Sequence, residues 1–305
     1  MRILTLGFTP DPDDAFAYYA LVNGRISTDG WKVSYSTAPI EELNRHAERQ
    51  LLDIAAISSV FYPRLAHTYA VLRSGASVGR GYGPALVTKA GEGLGVLEHA
   101  EVAVPGDTTT GANLLQLFFP GVETVALSFD AIREAIAHGE VDAGILIHEE
   151  LLNYPELGLE RLLCLGEEWS RRTAVPLPVG LNVLHRRHED ALAADISRCV
   201  RESIEYALAH REEATAWARQ FGRGPQSKVG ERFIRMFAND DTVEFGRDCE
   251  QGLTELFRRL ADAGLAPRLS HVDFIESDPA AWQTRLSTAP EPRDVAKFSG
   301  APHAA

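Results

Sequence analysis

Twice in this chain an acid opens a short run of small apolar residues that ends in polar side chains. The first run is DIAAISS at 53–59, and the second is DAGILIHEE at 142–150, about 90 residues further on. Apolar runs this short, each fed by a helical pattern, fit buried strands of a parallel sheet better than helices. Their repetition predicts an α/β fold with two similar lobes, and 305 residues suffice for two cores. The expected ranges are 1–90 plus 182–305 for one lobe and 91–181 for the other, with a surface or disordered tail from about 288. Pro176, Pro178 and Gly180 make a stiff, extended segment, the predicted crossing back to the first lobe.

Open α/β sheets place ligands beyond the carboxyl ends of their strands. His148 stands at such an end, where an imidazole titrates near neutral pH and can serve as a general base. It can equally cap the strand and hydrogen-bond the next loop. Ser58 and Ser59 end the other run, and they either cap the following helix or meet a ligand. A further strand over 101–104 runs into PGDTTTGANLL, which puts Thr108, Thr109 and Thr110 in the first turn of a helix. Free amides and hydroxyls there can grip a carboxylate. One threonine would suffice for simple capping.

The chain opens with a strand over 3–8 and then TPDPDD. Pro10 and Pro12 keep Asp11 out of a helix, and Asp13 or Asp14 is the expected cap of a helix over 15–21. PDPDDA is similar to the DTDPGxDDA calcium motif of nucleoside hydrolases. However, Gly7 and Thr9 stand where the first two aspartates of that motif belong, so no metal is expected. A second strand is expected over 31–36, and the Leu43, Ala47 and Leu51 spacing predicts a helix over 40–51. Ser128 should cap a helix carrying Ile132, Ala135 and Ile136 that stops at Gly139. Amphipathic helices follow around Ile196, Cys199, Val200, Ile204 and Leu208, and around Leu253, Leu256, Phe257 and Leu260. The glycine-rich segment at 74–89 is neither a P-loop nor a dinucleotide fingerprint, because no helix with the required residues opens after it.

A formal charge of −13 argues against nucleic acid or an anionic membrane as partner. The three cysteines form no CxxC pair, which suits a reducing compartment. MRILTLGF reads as a strand rather than as a signal peptide, and no apolar run is long enough to span a bilayer, so a cytoplasmic location is expected.

Five segments then coincide with one family. GFTPDPDDAFAYYALVNGRI, LRSGASVGRGYGPALV, VAVPGDTTTGANLL, GEVDAGILIHEE and LGEEWSRRTAVPLPVG resemble, in order, the signatures of the MqnA/MqnD menaquinone-biosynthesis family. GYGP and the IHE histidine favour its MqnD branch, the 1,4-dihydroxy-6-naphthoate synthases, over the chorismate dehydratases. The match runs to about Arg187 and continues more weakly to about Pro267. The resemblance implies a periplasmic-binding-protein-like type II fold, with two α/β lobes and an interlobe cleft, used inside the cell as an enzyme. It implies a lyase that converts cyclic dehypoxanthinylfutalosine to 1,4-dihydroxy-6-naphthoate without a cofactor, its partner a small-molecule substrate and its oligomeric state open. His148 then becomes the general base, and Ala56, Ile57, Ser58, Thr109 and Thr110 become substrate-holding residues.

Two segments depart from the family pattern. The usual SPCPND is replaced by acids at Asp11 and Asp13, and the usual TKLS becomes Ala55-Ala56-Ile57-Ser58, without its lysine. An anionic substrate would meet fewer positive and more negative groups. A divergent paralogue, binding a solute or acting on another anion, is therefore the alternative expectation.

Overall fold

Buried Leu4, Leu6 and Phe8 alternate with exposed Ile3 and Thr5, so β1 (Arg2–Phe8) sets one face into the core. Then come α1 (Pro12–Val22), β2 (Trp31–Thr37), α2 (Ile40–Glu48), β3 (Ile54–Ser58), the single turn α3 (Tyr62–Leu65), β4 (Tyr69–Leu72) and β5 (Ser77–Gly79). The middle of the chain forms β6 (Ala85–Lys89), β7 (Glu101–Val104), α4 (Thr110–Phe118), β8 (Glu123–Ala126), α5 (Phe129–His138), β9 (Ala143–Leu146), β10 (Leu159–Cys164) and α6 (Leu165–Thr173). Last come β11 (Leu177–His185), α7 (Asp190–Ala209), α8 (Arg211–Ala218), α9 (Ser227–Phe237), α10 (Asp240–Val243), α11 (Arg247–Asp262) and β12 (Phe274–Ile275). The structure is a computed structural model that describes residues 1–152, 154–221 and 227–276. The tail expected from about 288 lies outside the described residues.

The strands form two mixed sheets, one of seven strands in the order β12-β4-β11-β3-β1-β2 with β5 against β11, and one of five in the order β10-β6-β9-β7-β8. The two share a plan. A β-α-β-α-β run lays down three parallel strands, β2, β1 and β3 in one sheet and β8, β7 and β9 in the other. The next neighbour is an antiparallel strand from outside that run of the chain. In one sheet it is β11, with Asn182 opposite Ala56, and in the other it is β6, with Ala85 opposite Leu146. The boundaries expected from sequence differ from this sheet membership at both crossings. β6, inside the expected 1–90, belongs to the five-stranded sheet, and the β11 residues before 182 belong to the seven-stranded one. Past Pro176 the proline segment is itself strand, with Pro178 at a register irregularity against β5, where a missing N–H is tolerated.

Local signals set most element ends. Gly139 closes α5 in the left-handed conformation, φ 76°, and turns the chain into the fully buried β9. Helix α2 stops at Glu48, short of the predicted 51, because Gln50 adopts φ 58° and leaves Leu51 exposed. The expected stripe of α7 is buried at Ile196, Cys199, Val200 and Ile204, and only partly at Leu208. One apolar cluster joins the sheets through Leu6, Ile54 and Ile57 on one side and Val102, Leu114 and Ile145 on the other. A smaller cluster with Val87, Ile132, Ile136 and Leu146 lies between α5 and the five-stranded sheet. Among the described residues no helix is long and apolar enough to cross a membrane.

Candidate active site

Between the sheets lies a cleft of about 710 Å³, mouth included. It collects the ends of β1, β3 and β9, the starts of α1 and α4, and the first half of β11. All six residues singled out from sequence line it: Ala56, Ile57, Ser58, Thr109, Thr110 and His148. Thr9, Asp13, Asp14, Asn182 and Phe233 join them, and among the described residues no lysine or arginine does.

His148 follows β9 and opens a 3-10 turn over His148–Leu152. Its φ of 57° is in the left-handed region, which histidine enters more readily than most side chains. The ring lies edge-on to Phe129, 4.8 Å between centroids at 75°, and 6.4 Å from Phe233. Its Nδ1 is 3.0 Å from Oδ2 of Asp11, a carboxylate with no exposed surface. The two neighbouring acids, Glu149 and Glu150, are the partners that sequence proximity suggests. Glu150 pairs instead with Arg133 at 3.1 Å, and the Glu149 side chain lies outside the described part of the structure.

The start of α1 brings three carboxylates to this side of the cleft. Asp11, not Asp13 or Asp14, is the N-cap residue, and its side chain makes no capping bond. Pro12 imposes this, because a proline fits the first helical position and fixes the residue before it as extended. Asp14 reaches back to accept from the Thr9 N–H at 3.0 Å and the Thr9 hydroxyl at 2.6 Å. Burial raises the Asp14 carboxyl above its ordinary value, against the pull of those two bonds. Asp13 is raised further, first by burial and then by the charges of Asp14 and Asp11. Among the described residues no group of three or more histidines, cysteines or acids is arranged to hold a metal ion.

The opposite wall is hydroxyl and amide. Thr109 caps α4, its Oγ1 accepting from Ala112 N–H at 3.4 Å and donating to the Gly106 carbonyl at 2.8 Å. Thr110 donates to the Val179 carbonyl at 2.6 Å, which ties α4 to β11. The N–H groups of Thr110 and Gly111 occupy the first two helical positions, where an α-helix offers no partner of its own. Thr108 faces the other way. Its N–H donates to Oε2 of Glu41 at 2.9 Å, and Asn44 Nδ2 donates to its hydroxyl at 2.8 Å. Gly106 permits that approach, since with φ 142° any Cβ there would stand 2.4 Å from Glu41 Oε2.

Ser58 is fastened by the same asparagine. Asn44 Oδ1 accepts from Ser58 N–H at 2.9 Å, and its Nδ2 lies 3.2 Å from Ser58 Oγ. Asn44 escaped the sequence reading although a signal was present, because it shares the buried stripe of α2 with Leu43 and Ala47. A polar residue in such a stripe needs partners. Asn182 was missed too. It donates from Nδ2 to the Gly75 carbonyl at 3.0 Å beside the cleft, and no local pattern announces it.

Two sheets of one strand plan facing each other across a ligand-sized cleft define the class: this is the periplasmic-binding-protein fold. A Candida albicans protein described as having the generic periplasmic binding protein fold superposes with a TM-score of 0.60 at 11% identity, over 90% of this chain and 98% of that one. The alkanesulfonate-binding protein of Xanthomonas axonopodis pv. citri, bound to MOPS, superposes at 0.69 with 13% identity, over 88% and 95%. Within that class the chain belongs to the menaquinone-biosynthesis family, whose model matches residues 4–262. It is 36% identical to the 1,4-dihydroxy-6-naphthoate synthase of Thermus thermophilus over 87% of this chain and 97% of that one. The synthase of the same name from Streptomyces coelicolor is 30% identical over 87% and 95%. An Archaeoglobus fulgidus protein of known crystal structure superposes at 0.83 with 36% identity, over 86% and 98%.

Proposed function

We propose that this protein is a carbon–carbon lyase of menaquinone biosynthesis that converts cyclic dehypoxanthinylfutalosine to 1,4-dihydroxy-6-naphthoate, with His148 as the general base. The observation that carries the reading is the setting of His148. It is a cleft-lining imidazole in the turn that follows the buried strand β9, with the Phe129 and Phe233 rings beside it. The names of two relatives that match nearly end to end support the reaction.

The chemistry follows from the groups present. The imidazole takes the proton of a hydroxyl beside the scissile bond. The oxygen's electron pair closes a carbonyl, the carbon–carbon bond breaks, and its pair moves onto the departing carbon. Among the described residues the wall holds no lysine or arginine, and a substrate carboxylate is met by the N–H groups at the start of α4, with Thr109 and Thr110 shaping that end. Ala56 and Ile57 supply a small apolar floor, and Ser58 a hydroxyl at its edge.

Purified protein incubated with the cyclic futalosine derivative tests the reaction. Turnover should proceed equally with and without EDTA. His148→Asn should fold and bind substrate yet lose about 10²–10⁴-fold in kcat. Wild-type turnover should also fall as the medium is acidified and the imidazole becomes charged. A variant that keeps more than about a tenth of wild-type turnover removes His148 from the role. Binding without turnover by the unaltered protein would make it a solute-binding relative instead.

A further inference from the structure

We propose that Asp11 is the positioning residue for His148, holding the imidazole in the tautomer with its proton on Nδ1 and its lone pair on Nε2. The proposal rests on the reading of His148 as general base. A neutral imidazole carries one proton on either nitrogen, and only the bare nitrogen can act as the base. A base that must face a substrate from a cleft wall therefore needs something behind it to choose the tautomer. Asp11 stands there, with Oδ2 3.0 Å from Nδ1 and no exposed surface.

Both partners are held by backbone. Asp11 lies between Pro10 and Pro12, its N–H donating to the Thr9 carbonyl at 2.7 Å and its own carbonyl accepting from Ala15 N–H at 3.1 Å. It has an extended conformation, φ −119° and ψ 150°, at the head of α1. A carboxylate is favoured at that end of a helix by the unpaired amides and the dipole. His148 is turned off the end of β9 by its left-handed φ, and Phe129 limits rotation of the ring.

The other nearby acids are differently engaged. Asp14 is committed to both donors of Thr9, and Glu150 pairs with Arg133. Asp13 is pushed toward its neutral form, which would attract a ring N–H less strongly. Asp11 has a second consequence for the reaction. Once His148 has taken the substrate proton, the imidazolium has a carboxylate at 3.0 Å to stabilise it, as in other histidine–carboxylate pairs. That stabilisation acts on the reacting state, so its loss should appear in kcat rather than in KM.

The test combines spectroscopy on the ligand-free protein with kinetics. In protein labelled with ¹⁵N-histidine, the His148 ring is assigned by the signals that vanish in His148→Asn. At a pH where the ring is neutral, two-bond ¹H–¹⁵N correlations should show the proton on Nδ1. Asp11→Asn should lower kcat about 10²-fold or more, with KM changed by less than about 3-fold and the tautomer preference reduced or reversed. A proton found on Nε2 in the unaltered protein overturns the proposal, whatever Asp11→Asn does to folding. So does an Asp11→Asn variant with wild-type kcat beside an inactive His148→Asn, and there the general-base reading survives. An active His148→Asn removes the general-base reading and this proposal together.

Discussion

Helices α1 and α4 reach the cleft from matching places, each following the first strand of a parallel trio, yet their opening turns are chemical opposites. At α1 the chain reads Asp11, Pro12, Asp13, Asp14, and at α4 it reads Thr109, Thr110, Gly111. Both helix starts carry the partial positive charge of unpaired amides. At α1 that charge is already answered by the protein's own carboxylates, one of which stands against His148. At α4 the cap and first turn carry neutral hydroxyls, and the Glu41 carboxylate takes the Thr108 N–H just ahead of the cap. One plan repeated twice thus gives a wall lined by acids and a wall lined by hydroxyls and amides.

Making the second wall resemble the first is the harshest way to break that comparison. Thr109→Asp keeps the acceptor for the Ala112 N–H, loses the donor to the Gly106 carbonyl, and sets a negative charge where the substrate's anion is expected. The kcat/KM for the cyclic futalosine derivative should fall about 10²-fold, the size of one lost charge-assisted contact plus repulsion, beside a stability loss of about 1–3 kcal/mol from the broken Gly106 bond. An unchanged kcat/KM would mean that α4 holds no anion.

The acids that open β3 and β9 extend the comparison to the backs of the sheets. Asp53 accepts from Thr5 N–H at 2.7 Å, and Asp142 accepts from Glu101 N–H at 2.9 Å, so each ties the third strand of its trio to the first. There the likeness ends. Asp53 also takes His188 Nε2 and Arg187 Nη2, both at 2.7 Å, whereas Asp142 is exposed. Burial opposes ionisation of Asp53, but the bonds from His188, Thr5 and Arg187 together outweigh it and hold the carboxyl well below the usual range. A depressed folded value contributes stability that is complete above the unfolded value of about 4 and disappears as pH falls through the folded one. Asp53→Asn should therefore cost about 2 kcal/mol at neutral pH, and less as the medium is acidified below about pH 4. Asp142→Asn should cost under about 1 kcal/mol. Chemical denaturation at pH 7 and pH 3.5 checks both, and equal costs would dissolve the distinction.

The smallest expected effect is a gain. Asp13 has its folded value raised, so by the same linkage its ionisation disfavours the folded state as pH climbs above about 4. Asp13→Asn should raise the melting temperature modestly at pH 7 and leave it unchanged near pH 3.5. A lower melting temperature at pH 7 would show that the Asp13 charge is welcome in the cleft wall.

Much of this was legible in the residues alone. The two acid–strand–polar units, the left-handed Gly139 that ends α5 and the apolar stripes of α7 and α11 all rest on interactions within a few positions along the chain. The same is true of His148 at a strand end and of Thr109 at a helix start. Where one local rule competed with another, the reading slipped. The spacing of Leu43, Ala47 and Leu51 fits a helix, but the turn at Gln50 ended it and left Leu51 in solvent. Asp13 and Asp14 suit an N-cap, but Pro12 gave that position to Asp11.

The sequence by itself determined the kinds of element, their approximate ends and which side chains sit where strands and helices meet a cleft. Those choices depend on neighbours three or four residues away, through pleat, helical stripe and cap. Only the tertiary structure decided which carboxylate stands behind His148, that Asn44 joins Ser58 to Thr108, and that β6 and β11 exchange sheets. Each of these pairs groups that are remote in the chain and near in space. Their contact is set by how two sheets pack through a shared apolar core, and no local pattern encodes a distance across that core.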